Sequence, residues 1–488
     1  MKKYIRILLL ILVVCISCVA FSACNNKNKP SELTTYDIVA TLDLGSNKLL
    51  GYQEVVYQNN TGDTLDVLKF HLYPNAYREG AAYPAISKEH HSAAYYNGTS
   101  YGGIEVTFVK QNGIEIPYEI SGLDNDILTV KLSKPMSKLD KVNLQMEYTV
   151  SIPKTHTRFG VTKSGVNLAN FYPLLCVYEN GDFVTSPYYA IGDPFYSDTS
   201  NYYVELNVNG NGLVASSGNL IESFNKNDKS THIIDAEHVR DFALVYLKNG
   251  QMISERVDDT DVKYFYSADI DAAKSLSYAL KCFTIFNNIF GKYPYKTYSV
   301  VDTNFIYGGM EYPNLSMINS FATGLSREYV IAHETAHQWW YGVVGTNSVA
   351  NAWIDEGLAE FSTALYFKHS NREALYHDIV ESSHCNYINV AERLAKQSSF
   401  DGIMTKRLDE FPSEGAYIAT VYDKAMMMNA SMYELMGERA YLVALQTFYK
   451  ENSHKNATPN SFLNCFSKPH QRLFEIWLNG EVLIPPLF

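Results

Sequence analysis

The apolar pattern of this chain changes period once, and that change limits the fold more than any other feature of the sequence. From residue 36 to about 257, β-formers recur in alternation over 48–57, 65–72, 104–109, 127–132, 142–151, 202–208 and 242–247, separated by Gly, Asn, Asp and Pro. Beyond that point the spacing turns helical. Residues 269–290 form one long amphipathic run, a strand-like 297–301 follows, and helices recur around 326–341, 351–369, 419–436 and 439–449. The sequence therefore predicts a multidomain α and β protein, with an all-β N-terminal domain over 36–257 and a mostly α domain with a small sheet over 258–488. Hydrophobic residues at 46% against 19% charged supply a large core and rule out wholesale disorder. A net charge of −12 argues against nucleic acid as a partner. The 38 tyrosines suit half-buried strands and broad polar surfaces.

The first two dozen residues stand apart from this pattern. Lys2, Lys3 and Arg6 precede an apolar run over 7–14 that continues weakly to Ala23, the layout of a secretory signal. Ser22 and Ala23 directly before Cys24 resemble a bacterial lipoprotein box, which implies cleavage before Cys24, lipid on its sulfur and an extracytoplasmic protein anchored to the bacterial cell membrane. Residues 1–23 are thus expected to be a signal peptide and 24–35 a polar tether. The alternative is an uncleaved membrane anchor, against which stand Ser17, Ser22 and two further cysteines that break the roughly 20 apolar residues a span requires. The remaining Cys176, Cys282, Cys385 and Cys465 contain no Cys-x-x-Cys pair, so neither a disulfide scaffold nor a cysteine-built metal site is indicated.

Two motifs compete for the chemistry. Gly98-Thr99-Ser100-Tyr101-Gly102 has the spelling of a nucleophile elbow, but it lies in a Gly, Asn and Tyr-rich loop where a sharp strand-to-helix turn is missing. A tight turn is the expected reading. The second motif is His333-Glu334-Thr335-Ala336-His337, which puts two imidazoles one helical turn apart on one face, with Glu334 beside them. Tyr329, Val330, Ile331, Ala332, Ala336, Trp339 and Trp340 make this helix apolar nearly all round, and polar groups placed there need a partner such as a metal. A hydrolytic zinc site needs a third protein ligand, and Glu356 follows an 18-residue spacer on a second helical run. Glu360, one turn further, either orients a histidine or is plain helix surface.

His333 to His337, that spacer and Glu356 resemble the gluzincin zinc aminopeptidases of the aminopeptidase N and leukotriene hydrolase type, as does Gly308-Gly309-Met310-Glu311-Tyr312, which matches the family's Gly-x-Met-Glu-Asn segment. The resemblance implies a β saddle domain followed by a thermolysin-like catalytic domain, with one Zn2+ per chain on His333, His337 and Glu356. It makes Glu334 the general base and Glu311 the residue that grips a peptide's free α-amine. It has Gly308, Gly309 and Met310 lie along the substrate, and it makes Tyr422, in Tyr422-Asp423-Lys424-Ala425, the oxyanion donor. Tyr417 falls where relatives also carry a tyrosine, and reads equally as a packing aromatic. Tyr312 replaces the motif's Asn, and Asp355 replaces the usual Asn beside the ligand. The large C-terminal helical domain of many relatives has no counterpart before Phe488, which leads one to expect an open groove. The function implied is N-terminal trimming of peptides. An endopeptidase or non-peptide hydrolase on the same site, or a catalytically silent surface-binding lipoprotein, are the alternatives.

Overall fold

The computed structural model describes residues 33–267, 271–396 and 400–482. The expected signal peptide and most of the tether lie outside the described residues. No helix among those described is long and apolar enough to cross a membrane.

Strict alternation builds the first half. Strand Thr34–Asp43 buries Tyr36, Ile38, Ala40 and Leu42 and exposes Asp37, Val39 and Thr41. It runs inside an eight-stranded sheet, parallel to Ser200–Val208 and antiparallel to Lys48–Gln58. Two four-stranded sheets contribute Phe70, Val130, Leu168 and Leu244 to the same core. The tyrosines go deeper than expected. Tyr36, Tyr148, Tyr172, Tyr202 and Tyr246 are fully buried, and the rings of Tyr36 and Tyr202 stack with centroids 4.7 Å apart. Burial is tolerated where the hydroxyl finds backbone: Tyr36, Tyr172 and Tyr246 accept from the amides of Leu175, Phe242 and Gly212. The serine elbow is a turn, as expected. Gly98 has φ of 77°, Ser100 Oγ accepts from the Lys154 amide, and the next element is strand Gly103–Gln111 rather than a helix.

The second half is built on a five-stranded sheet in the order Gln251–Val257, Thr260–Tyr266, Thr297–Thr303, Leu315–Asn319, Gly309–Tyr312. Its first two strands form a hairpin across residues 258–259. The expected boundary at 257/258 therefore cuts a hairpin, and by sheet membership the second half begins at Gln251. Helices Ala272–Ile289, Gly324–Ala336, Asp355–His369, Glu373–Ala395, Ala425–Met436, Glu438–Asn452 and Lys468–Leu478 surround the sheet. The helix expected to reach 341 stops at Ala336, because the Gly342 amide turns back to the His337 carbonyl and Tyr341 adopts φ of 143°. Strand Gly309–Tyr312 is an edge strand of its sheet, yet Met310 and Tyr312 pack into the core of the first half. Trp339, Trp340, Trp353 and Leu358 anchor the helices in a second core. Segments 309–312 and 333–337 thus lie where the two cores meet.

Candidate metal centre and active site

Helix Gly324–Ala336 carries His333 and Glu334 in its last turn, and His337 caps it. The Nε2 atoms of His333 and His337 stand 3.1 Å apart. Glu356, in the first turn of Asp355–His369, brings Oε2 to 3.2 Å from His337 Nε2 and 3.4 Å from His333 Nε2. Ligands held about 2.0–2.1 Å from one tetrahedral ion stand roughly 3.4 Å from each other, so these three atoms already have the mutual spacing of a zinc set. The outer partners fit too. His337 Nδ1 lies 3.0 Å from the Trp340 carbonyl, which only accepts, so Nδ1 carries a proton and Nε2 is the atom turned to the centre. His333 Nδ1 stands 3.2 Å from one oxygen of Glu360, whose other oxygen accepts from the Tyr329 hydroxyl. Glu360 is therefore a partner of His333 rather than plain helix surface. Asp355 accepts from Thr346 and Ser348 at 2.7 and 2.6 Å and from the Glu356 amide at 2.9 Å, which fixes the turn that presents Glu356.

The electrostatics call for a cation. Burial would lower the pKa of His337, but the carboxylates of Glu311 and Glu356 outweigh it and lift it to about 10. Burial would raise Glu356, but His337 and His333 hold it well below the usual carboxylate range. Glu334, raised to about 7 mainly by burial, keeps Oε2 without a hydrogen-bond partner among the described residues. A divalent ion meets the demand of this buried set.

Alternation along Gly309–Tyr312 turns Glu311 away from the core side chains Met310 and Tyr312 and into a cavity of about 250 Å³ beside the histidines. Gly309 is required there: a β-carbon would stand 2.5 Å from Cγ and Oε1 of Glu334. Gly308 is not so constrained, since a β-carbon would meet Val330 at 3.5 Å, and its carbonyl is taken by the Asn319 amide. Glu311 is not alone. Asp193, from a loop of the first half, offers a carboxylate oxygen within 4.8 Å of those of Glu311 and Glu356, and accepts from Arg158 Nη1 at 2.6 Å. Burial, and then the neighbouring Asp193, push Glu311 well above the usual carboxylate range. The sequence reading missed Asp193 and Arg158. The only local signal is the turn-like Gly192-Asp193-Pro194, and nothing in its spacing ties it to a motif 140 residues on.

Tyr422 closes the opposite wall. Its hydroxyl donates to Glu356 Oε1 and its ring lies over His333, centroids 6.1 Å apart. Residues 418–424 form a π-helix, and this explains a second feature. In an α-helix, residues five apart point about 140° from each other. Here Tyr417 and Tyr422 both line the cavity, with centroids 5.7 Å apart. Tyr417 is buried against Tyr422 at the cavity wall. Lys424 fastens the end of this turn by donating to the carbonyls of Gly402 and Trp477 at 2.7 and 2.8 Å.

A buried set of two histidines and a glutamate, with a free carboxylate beside it and an open strand edge alongside, has the ligand chemistry of a hydrolytic zinc site. Residues 274–479 match the Peptidase family M1 domain. The chain shares the fold of an M1 zinc metallopeptidase from Deinococcus radiodurans, with a TM-score of 0.66, 15% identity, and coverage of 93% of this chain and 95% of that one. A variant of that enzyme crystallised with a Tyr-Ser-Ala substrate superimposes with a TM-score of 0.65 at 15% identity, over the same shares of the two chains. Among curated proteins the chain is 24% identical over 229 residues to Aminopeptidase N of Haemonchus contortus, covering 43% of this chain and 23% of that protein. It is 23% identical over 180 residues to Leucine aminopeptidase 2-1 of Meyerozyma guilliermondii, covering 36% and 29%. The chain thus spans less than a third of the length of these curated relatives.

Proposed function

We propose that this protein is a zinc-dependent aminopeptidase that releases single N-terminal residues from peptides. The observation that carries this reading is the placement of Glu311 and Asp193: two buried carboxylates face the cavity within one residue's reach of the ligand set. An internal peptide bond brings no charge to that spot and would leave Glu311 buried without a cation, since Arg158 already serves Asp193, whereas a free α-ammonium satisfies Glu311. This disfavours the endopeptidase reading, and the intact Glu334 disfavours a silent binding protein.

A zinc ion held by His333, His337 and Glu356 supplies Lewis-acid activation of water and of the scissile carbonyl. Glu334 takes the proton from the attacking water and returns it to the leaving amine. Tyr422 moves its hydroxyl from Glu356 to the carbonyl oxygen on which charge develops, a contact worth roughly 10²- to 10³-fold in other hydrolases. Gly309 and the rest of the open edge align the peptide backbone. The test is a digest of free and N-acetylated peptides read by mass spectrometry, with and without chelator. Trimming confined to the free peptides and abolished by chelator supports the reading; internal cuts at equal rates in both would replace it with an endopeptidase.

The sequence up to Cys24 further supports a lipid anchor on that residue, with the enzyme held at the outer side of the bacterial cell membrane. Intact-mass analysis of membrane-extracted protein tests this. A mature N-terminus at Cys24 with added acyl mass is the expected result, and an unmodified chain beginning at Met1 would argue for an uncleaved anchor instead.

A further inference from the structure

The edge strand also fixes which way a peptide must run. Glu311, at the amine end, lies two residues past Gly309, and Gly309 is the residue that abuts Glu334, where the bond is cut. A peptide whose ammonium sits at Glu311 therefore passes Glu334 and continues toward Tyr307, antiparallel to the strand. Tyr307, in the bend just before the strand, lies beyond Gly309 on the side toward which the peptide continues.

A carboxylate waits there. Glu414 lines the same cavity as Tyr307 and the metal triad. Both of its oxygens are held by His90 Nε2, at 3.1 and 3.0 Å, and the His90 imidazole packs edge-on against the Tyr307 ring with centroids 5.1 Å apart. Ser413 caps the turn that carries Glu414 by accepting from the Ala416 amide. His90 belongs to the first half and Glu414 to the second, so the pair spans the cleft and holds the carboxylate in one place. Each side chain stays 31% exposed, so the carboxylate remains reachable. Among the cavity-lining residues the one Arg or Lys is Arg158, and it is committed to Asp193.

We infer that Glu414, positioned by His90, is a specificity residue that selects peptides with a lysine or arginine at the second or third position. The inference rests on the aminopeptidase reading and deepens it. A charge-assisted contact of this kind is the strong class of hydrogen bond, and about tenfold in kcat/KM is the expected preference.

The test compares release of leucine by the zinc-loaded enzyme from Leu-Arg-Ala-Ala, Leu-Gln-Ala-Ala, Leu-Ala-Arg-Ala and Leu-Ala-Gln-Ala. A preference of about tenfold for arginine at either position is expected in the unaltered enzyme, so the result needs no variant to be read. Glu414→Gln should bring the ratio near one, and Glu414→Lys should invert it in favour of glutamine at the same position. Equal rates for arginine and glutamine at both positions, or a preference that survives Glu414→Gln, would overturn the inference while leaving the aminopeptidase reading intact. No release of leucine from any of the four peptides would overturn the aminopeptidase reading, and this inference with it.

Discussion

Gly309 approaches Glu334 so closely that a β-carbon at position 309 would stand 2.5 Å from both Cγ and Oε1 of the glutamate. The backbone beneath that side chain is fixed, since Ser316 Oγ donates to the Glu334 carbonyl, so relief would come from turning the carboxylate itself. Gly309→Ala is expected to displace the Glu334 carboxylate and lower kcat by roughly 10²-fold or more, the scale on which a misplaced catalytic group acts. Gly308→Ala should be at least tenfold less damaging, since its β-carbon meets Val330 at an ordinary 3.5 Å. Steady-state kinetics of the two alanine variants check this; equal losses would show that the contact with Glu334 is not what the glycine serves.

Metal content gives a separate expectation. His333, His337 and Glu356 complete one three-ligand set, so elemental analysis should find about one zinc per chain, and a chelator should abolish activity reversibly. Because the ion binds the folded state, its removal should also lower the melting temperature. Glu334→Gln removes the base and none of the ligands, and is expected to retain zinc while losing turnover. A zinc-free wild-type protein with full activity would refute the assignment.

The parts of the site that the sequence revealed came from local spacing and from motif resemblance. One helical turn relates His333 to His337, a short spacer brings in Glu356, and Glu311 was picked out by the resemblance of residues 308–312 to a zinc aminopeptidase segment. Asp193 and Arg158 were not legible, because their approach to Glu311 depends on how the first-half loops pack against the edge strand, and no periodicity records that. The facing of Tyr417 and Tyr422 was hidden for a different reason: helical spacing assumes 3.6 residues per turn, and residues 418–424 are π-helical. Helix Glu373–Ala395 escaped because its buried stripe is only Tyr376, Ser383, Tyr387 and Leu394, too sparse to register as an amphipathic face. The tyrosine content pointed to half-buried strands, whereas many of the rings sit in the core with backbone amides as partners.

Asp241 makes stability depend on pH away from the metal. It is fully buried, accepts from Tyr341 and Asn170, and burial raises its pKa from 3.8 to about 6. In the unfolded chain the same group ionises near 3.8, so between these values the folded state binds more protons, and stability falls as pH rises through that window. Asp241→Asn abolishes the titration and keeps an acceptor for Tyr341. The variant should gain stability relative to wild type by about 3 kcal/mol between pH 4 and 7, from roughly two pH units at 1.36 kcal/mol each. Denaturant unfolding of both proteins across that range checks the sign. A difference that stays constant with pH would show that Asp241 ionises normally in the fold.

Glu311 and Asp193 come from different halves of the chain but are proposed to hold one ammonium. Each contact is a charge-assisted hydrogen bond, so Glu311→Gln and Asp193→Asn should each lower kcat/KM on free-amine peptides by roughly 10- to 100-fold. Because they share a ligand, the double variant should lose less than the product of the two single losses. Their stability effects should diverge. Glu311→Gln removes one of three crowded, buried carboxylates and is expected to hold or raise the melting temperature. Asp193→Asn relieves the same crowding but strips Arg158 of its buried partner, and breaking a pair of this kind typically destabilises by about 3–5 kcal/mol. Calorimetry of the two variants beside their kinetics therefore separates substrate binding from folding. A Glu311→Gln protein that melts lower than wild type and trims peptides at the wild-type rate would contradict both the crowding of the carboxylates and their role as the amine site.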